Sequence, residues 1–143
     1  MTFLVWLTSR ATTDLIDTAL APAGLDGDEF AIYSILTAAP LITPTELARW
    51  IAAPLTTVSS YVKRFEARGH VRREPNPADK RSYRIKLTPA GRRAYRSAAA
   101  LFMPVRSRVA AALGEREEEV REALVALRAV LDDIRNPGPE QSE

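Results

Sequence analysis

One six-residue stretch interrupts a chain that otherwise repeats at helical spacing. From Ser82 to Leu87 the residues alternate strictly, with Tyr83, Ile85 and Leu87 on one face and Arg84 and Lys86 on the other. That is the pattern of a half-buried strand. Its hairpin partner is expected at Val71 to Glu74. The intervening Pro75 to Arg81 is longer than a tight turn, so it should project as a loop stiffened by Pro75 and Pro77.

Helical spacing governs the rest. Leu4, Leu7, Ala11, Leu15 and Ala19, widened by Phe3, Trp6 and Ile16, predict a helix over residues 2–21. A second should start at Asp26, with Glu29 three residues on in a capping-box arrangement, bury Phe30, Tyr33 and Leu36, and stop before Pro40. Thr43 as cap and Pro44 at the first position open a third, which turns Leu47, Ala48 and Ile51 inward. After the turn Ala52-Ala53-Pro54, a fourth runs from Leu55 to Arg68, and Gly69 can end it in a left-handed conformation. Thr88 and Pro89 open a long helix that Pro104 should kink. The last starts near Glu115, where a run of glutamates complements the helix dipole. Its apolar residues Val120, Leu124, Leu127, Leu131 and Ile134 could form a dimer seam or pack on their own domain.

Charge points to a function for the middle of the chain. The 143 residues carry 20 Lys+Arg and 18 Asp+Glu, a net +2. Residues 44–96 hold 13 of the cations and four of the acids, a local +9, and the remainder is −7. A polyanionic partner is therefore expected at the middle segment. With no cysteine there is no disulfide, thiol redox switch, Cys-ligated zinc or cysteine nucleophile, and the lone His70 cannot supply a multi-histidine metal site. No nucleophile and base stand at an interpretable spacing, so the chain is not read as an enzyme, and neither cofactor nor metal is expected. The N-terminus lacks a basic n-region and a cleavage site and reads as an amphipathic helix of a cytoplasmic protein.

Helix, tight turn, helix, then a two-stranded hairpin with a basic loop is the order of a winged helix-turn-helix. The fold class is mainly α with a small antiparallel β-hairpin. Ala48 is the small residue needed where the two helices touch, and Val58 and Val62 form the apolar underside of the second. Thr56, Thr57, Ser59 and Ser60 on its opposite face are candidates for base edges or phosphates, and Lys63 and Arg64 for phosphates. Arg81 at the loop tip suits a narrow minor groove.

The segment from TPTELARW to LTPAGRRAY resembles the DNA-binding core of the multiple-antibiotic-resistance regulator (MarR) family, in register from Leu47-Ala48 to Leu87-Thr88 and Gly91. The most specific piece is the wing, with Pro75 to Pro77, Asp79-Lys80-Arg81 and a strand ending Leu-Thr-x-x-Gly. By that resemblance Arg81 reaches the minor groove, Asp79 holds it, and Lys80 and Arg84 join the wing contacts. Glycine is usual in the family at Ala52, a larger aliphatic residue at Ala53 and a Ser-type cap at Pro54. A basic residue is common there at Ser60 and an acidic one at Lys63. His70 stands where an aliphatic residue is usual, and a satisfied, half-buried histidine is favoured over a ligand or pH switch.

The resemblance implies a homodimeric regulator, most simply a repressor, on double-stranded DNA carrying a pseudo-palindromic operator. Residues 1–39 and 89–135 would dimerise, 40–88 would bind DNA, and 136–143 would be a disordered tail. Trp6, Arg10, Phe30 and Tyr33 are candidates to line a crevice for a small aromatic effector, although core packing explains them equally well. The alternatives are a winged-helix module that binds protein and a DNA-binding protein without an effector. No membrane partner is expected.

Overall fold

The structure, a computed structural model, describes residues 1–135, so the expected tail at 136–143 lies outside the described residues. The order is α1 (Thr2–Leu20), a 3-10 turn (Ala21–Ala23), α2 (Gly27–Ala38), α3 (Pro44–Ile51), α4 (Leu55–Ala67), β1 (Val71–Pro75), β2 (Tyr83–Leu87), α5 (Pro89–Leu113), a second 3-10 turn (Gly114–Arg116) and α6 (Glu117–Arg135). Two compact units divide between Val105 and Arg106. The fold is a helical one with a two-stranded antiparallel hairpin, as the periodicities require.

In the first unit the helix starts are set by side-chain oxygens. Asp26, in extended backbone, accepts the Glu29 N–H at 2.8 Å, and the carboxylate of Asp17 on α1 accepts the Gly27 N–H at 2.6 Å. The reciprocal half of the expected capping box at Asp26 does not form, because the Glu29 side chain turns inward to α4. At α3 the box is complete. Thr43 Oγ1 accepts from the Glu46 N–H at 3.2 Å, and Glu46 Oε2 accepts from the Thr43 N–H at 2.8 Å. Those bonds hold the Glu46 carboxyl below its ordinary pKa.

The core of this unit gathers one face from each element. Ile32, Tyr33 and Leu36 of α2 meet Leu47 of α3, Val58, Val62 and Phe65 of α4, and Val71, Ile85 and Leu87 of the hairpin, with Leu20 and Ala98 closing it. Burying each of the larger apolar side chains stabilises by about 1.5–3 kcal/mol, which is what seats α4. The hairpin runs in register from Val71 opposite Leu87 to Pro75 opposite Tyr83. Ile42 adds a short bridge, its carbonyl accepting the Ile85 N–H at 2.8 Å, and so ties the segment before α3 to the wing.

Two junctions decide whether the helix-turn-helix and the wing can coexist. Between α3 and α4, Ala52 is left-handed at φ 54°, ψ 38°, and the N–H of Ala53 returns to the Ala48 carbonyl at 3.1 Å. Between α4, the hairpin and α5, Gly69 is left-handed as expected, and the His70 N–H bonds the Phe65 carbonyl at 2.9 Å. Thr88 then knots the hairpin ends. Its N–H donates to the His70 carbonyl at 3.0 Å, its hydroxyl donates to the Gly69 carbonyl at 2.6 Å, and its oxygen accepts the Gly91 N–H at 3.1 Å. Gly91 sits so close that a Cβ there would stand 2.1 Å from the His70 oxygen.

α5 runs unbroken through Pro104, which has no N–H to donate, and the boundary between units falls just after the next residue. In the second unit α6 opens with Glu117, Glu118 and Glu119 and carries Glu118–Arg121 and Arg128–Asp132 pairs along its surface. Val120, Leu124, Leu131 and Ile134 are exposed along one seam of it. In the first unit α1 likewise leaves Phe3, Leu4, Trp6, Leu7 and Leu15 exposed.

Opposite outcomes are expected at the two junctions. Gly91→Ala should lower the unfolding free energy by about 1–3 kcal/mol through overpacking against the His70 carbonyl. Ala52→Gly should raise it by about 1 kcal/mol by relieving the left-handed strain of a residue with a Cβ. Urea denaturation of the two variants against wild type measures both.

Candidate nucleic-acid interface

The apolar underside of α4 fixes which of its residues look outward. With Val58, Val62 and Phe65 at most 1% exposed, Thr56, Thr57, Ser60, Lys63 and Arg64 are exposed and Ser59 is half-buried. Pro54 supplies no capping side chain, but its carbonyl accepts the first helical N–H groups, from Thr57 at 3.0 Å and Val58 at 3.2 Å. The Ser60 hydroxyl donates to the Thr56 carbonyl at 3.1 Å, which leaves its lone pairs directed outward as acceptors.

The wing loop is built on its own backbone. Asn76 is 8% exposed and its side-chain oxygen accepts the Ala78 N–H at 3.2 Å, while its carbonyl accepts from Asp79. The Asp79 carboxylate accepts the Arg81 N–H at 2.9 Å and its carbonyl accepts the Ser82 N–H at 3.0 Å. Asp79 thus holds Arg81 through its main chain and leaves the guanidinium outward. Lys80 and Arg81 are exposed, and among the described residues no carboxylate pairs with either side chain. Arg84 is half-buried on β2. The two sets of residues meet in a cleft of about 310 Å³, where Thr45 of α3 and Leu55 and Ser59 of α4 face Asp79, Arg81 and Tyr83 of the wing.

Five other cations of the basic segment pair with acids within the protein. Arg72 and Lys86 share Glu74, at 2.7 and 3.1 Å, and these bonds hold the Glu74 carboxyl below its usual range. Arg73 forks onto Glu66 of α4 and lies 4.5 Å from the centre of the Tyr83 ring. Arg64 and Arg68 each donate to one oxygen of Glu29 at 3.0 Å, and the Glu29 side chain is 3% exposed. The Glu29 bond raises the Arg68 pKa. The reading of Glu29 as a cap missed this pair. The signal was its place at the head of the buried series Glu29, Ile32, Tyr33, Leu36, an acid on an inward face with two arginines one turn apart on α4.

The four residues nominated for an effector crevice are dispersed in character. Tyr33 is fully buried, edge-on to Phe65 at 4.6 Å, and its hydroxyl meets His70 Nδ1 at 2.8 Å. Burial pushes its pKa up to about 12. Phe30 packs on Tyr95 and Phe102 at 5.6 and 5.2 Å, whereas Trp6 and Arg10 of α1 are exposed, with Trp6 stacked on Phe3. His70 is a satisfied, half-buried histidine with a pKa lowered first by burial and then by the Arg68 charge. Among the described residues no helix is long and apolar enough to cross a membrane, and no acidic or histidine cluster is arranged to hold a metal ion.

An outward helix seated on a helix-turn-helix, beside a hairpin with a basic tip, is the arrangement of a winged-helix protein. The MarR family model matches residues 23–82. The multiple antibiotic resistance protein MarR of Salmonella typhimurium is 30% identical over 88 residues, covering 62% of this chain and 61% of that protein. The chain thus spans about three-fifths of the length of the curated relatives it matches. The M. tuberculosis transcriptional regulator MosR in complex with DNA superposes with a TM-score of 0.82 at 28% identity, over 94% of this chain and 97% of that one. A mutant E. coli MarR complexed with operator DNA gives 0.80 at 26%, over 91% and 92%. Residues 23–82 thus match the MarR family, and the fold as a whole is similar to that of these regulators.

The depressed His70 pKa has a sign that can be measured. Because the folded value lies below the ordinary one, the contribution of His70 is fully present above pH ~6.5 and is lost as pH falls through the folded pKa. The stability advantage of wild type over His70→Gln should therefore shrink on acidification below about pH 6.5 in urea titrations at stepped pH.

Proposed function

We propose that this protein is a homodimeric, sequence-specific DNA-binding transcriptional regulator that represses by occupying a pseudo-palindromic operator. The observation that carries the reading is the shared cleft, which sets the hydroxyl face of α4 beside a wing tip whose two cations have no acidic partner among the described residues. Thr56, Thr57, Ser59 and Ser60 would address base edges, and Lys63 a phosphate. Lys80 and Arg81 would enter the adjacent minor groove, where the Asp79 bond to the Arg81 backbone limits the tip's freedom. Arg84, half-buried at the base of the wing, would add a backbone contact.

Dimerisation through residues 1–39 and 89–135 is supported by the exposed apolar residues of α1 and of α6, each a face that water penalises in a lone chain. A two-fold dimer would present two such helices to half-sites about one helical turn, ~10 bp, apart. MosR and MarR, complexed with DNA in the structures above, support the partner. Release of the operator by a small aromatic ligand near Trp6, Arg10, Phe30 and Tyr33 rests on the family resemblance. With Tyr33 sealed in the core, Phe30 is the better placed of the two α2 residues to meet a ligand. A cytoplasmic location follows from the same reading.

Selection from a random duplex library, followed by anisotropy titration of the selected and a scrambled duplex, tests it. The selected duplex should be preferred, with affinity falling steeply as salt rises. Salt-independent or sequence-blind binding would favour the protein-interaction module instead. Arg81→Ala should weaken the selected duplex roughly tenfold to a hundredfold without changing the melting temperature. Ser59→Ala with Ser60→Ala should alter the selected consensus more than the affinity for scrambled DNA.

A further inference from the structure

The apolar face of α4 fixes how deeply the helix sits, but three rounded side chains resist rotation about its axis only weakly. Directional bonds supply that resistance. One set runs to the wing, where Arg73 forks onto Glu66, and two run to α2: the Tyr61 hydroxyl donates to Asp28 at 3.1 Å, and the Glu29 carboxylate receives Arg64 on one oxygen and Arg68 on the other, each at 3.0 Å. The two arginines are four residues apart, so the carboxylate bridges one full turn of α4. A carboxylate that is 3% exposed has no water to replace a lost partner, whereas the guanidiniums, 47% and 35% exposed, can turn to solvent. The bridge is therefore held from the Glu29 side.

Arg64 follows Ser60 by one turn on the outward flank of the helix, and its guanidinium also lies 5.0 Å from the Tyr61 ring. Its bond to Glu29 directs it to α2. We infer that Glu29 is a positioning residue for DNA recognition: it sets the rotation of α4 and keeps Arg64 from the phosphates, so that the hydroxyl face and not a mobile charge decides which sequences are bound. This rests on the DNA-binding reading above.

The test compares selected and scrambled duplexes across a salt series for wild type, Glu29→Gln and Arg64→Gln, with circular dichroism to establish that each variant is folded. In Glu29→Gln the preference for the selected duplex should fall at least severalfold. Scrambled DNA should bind more tightly, with a salt slope steeper by about 1 for each Arg64 released to a phosphate. A structural role alone would leave that slope where it was. In Arg64→Gln the slope should equal that of wild type, because the side chain is not on a phosphate to begin with. A folded Glu29→Gln with unchanged preference and slope overturns the inference and leaves the DNA-binding reading intact. An Arg64→Gln slope shallower by about 1 overturns it independently, even if Glu29→Gln does not fold. A wild type with no preference for any duplex removes both.

Discussion

The carbonyl of His70 is the point on which α4 and the wing depend together. It accepts the Thr88 N–H, so the residue that leaves α4 and the residue that leaves the hairpin are fixed to each other within one hydrogen bond. Thr88 caps α5 with the same side chain that binds the Gly69 carbonyl, and Gly91 lets the first turn of α5 come against this backbone. The knot forces the hairpin to close where α4 ends. The register from Val71 opposite Leu87 then carries the wing outward from a fixed base, and the loop tip lands beside the start of α4. A longer link at either end would leave the tip and the helix free to move separately.

Side-chain charges act on that frame by direction more than by energy. Exposed ion pairs contribute about 0–1 kcal/mol each, far less than the apolar burial that seats α4. Yet α4 is held on both flanks, by Glu29 receiving Arg64 and Arg68 on the α2 side and by Glu66 gripping Arg73 of the wing on the other. Tyr33 adds a third tie, from α2 to His70 just beyond the helix. Burial thus supplies the stability and the polar ties supply the orientation.

Most of the architecture was legible because its causes are local. The caps at Asp26 and Thr43, the left-handed Gly69 and the alternation through Tyr83, Ile85 and Leu87 all act within a few residues, and the structure realises each. What escaped was decided across the chain. Glu29 has the spacing of a capping-box acid and is taken instead by arginines 35 and 39 residues away. Tyr33 fits a ligand wall and a core position equally well in sequence, and only the placement of His70 beside it decides for the core. Ile42 carries no strand pattern at all, since one bridge to Ile85 is too short to leave a period. For the outward residues of α4 and the wing the sequence and the fold supply the same information, namely which side chains are displayed, and contact with DNA is a property of a second molecule.

The charge excess between residues 44 and 96 looks different once its acids are placed. The segment holds 13 cations and four acids, and every one of those acids is occupied within the protein. Glu46 closes the α3 cap, Glu66 takes Arg73, Glu74 takes Arg72 and Lys86, and Asp79 holds the backbone of Arg81. Glu29 reaches in from outside the segment to take Arg64 and Arg68. The acids therefore do not dilute a uniform basic surface. They restrain Arg64 and Arg68 at α4 and Arg72, Arg73 and Lys86 on the hairpin strands, and leave Lys63 on the helix and Lys80 and Arg81 on the wing tip outward, on either side of the hydroxyl face. A polyanion drawn to a uniform basic surface could settle in many registers. On the DNA-binding reading proposed above, a polyanion drawn to a few separated charges around an uncharged face would be limited to those that bring the hydroxyls against its edges.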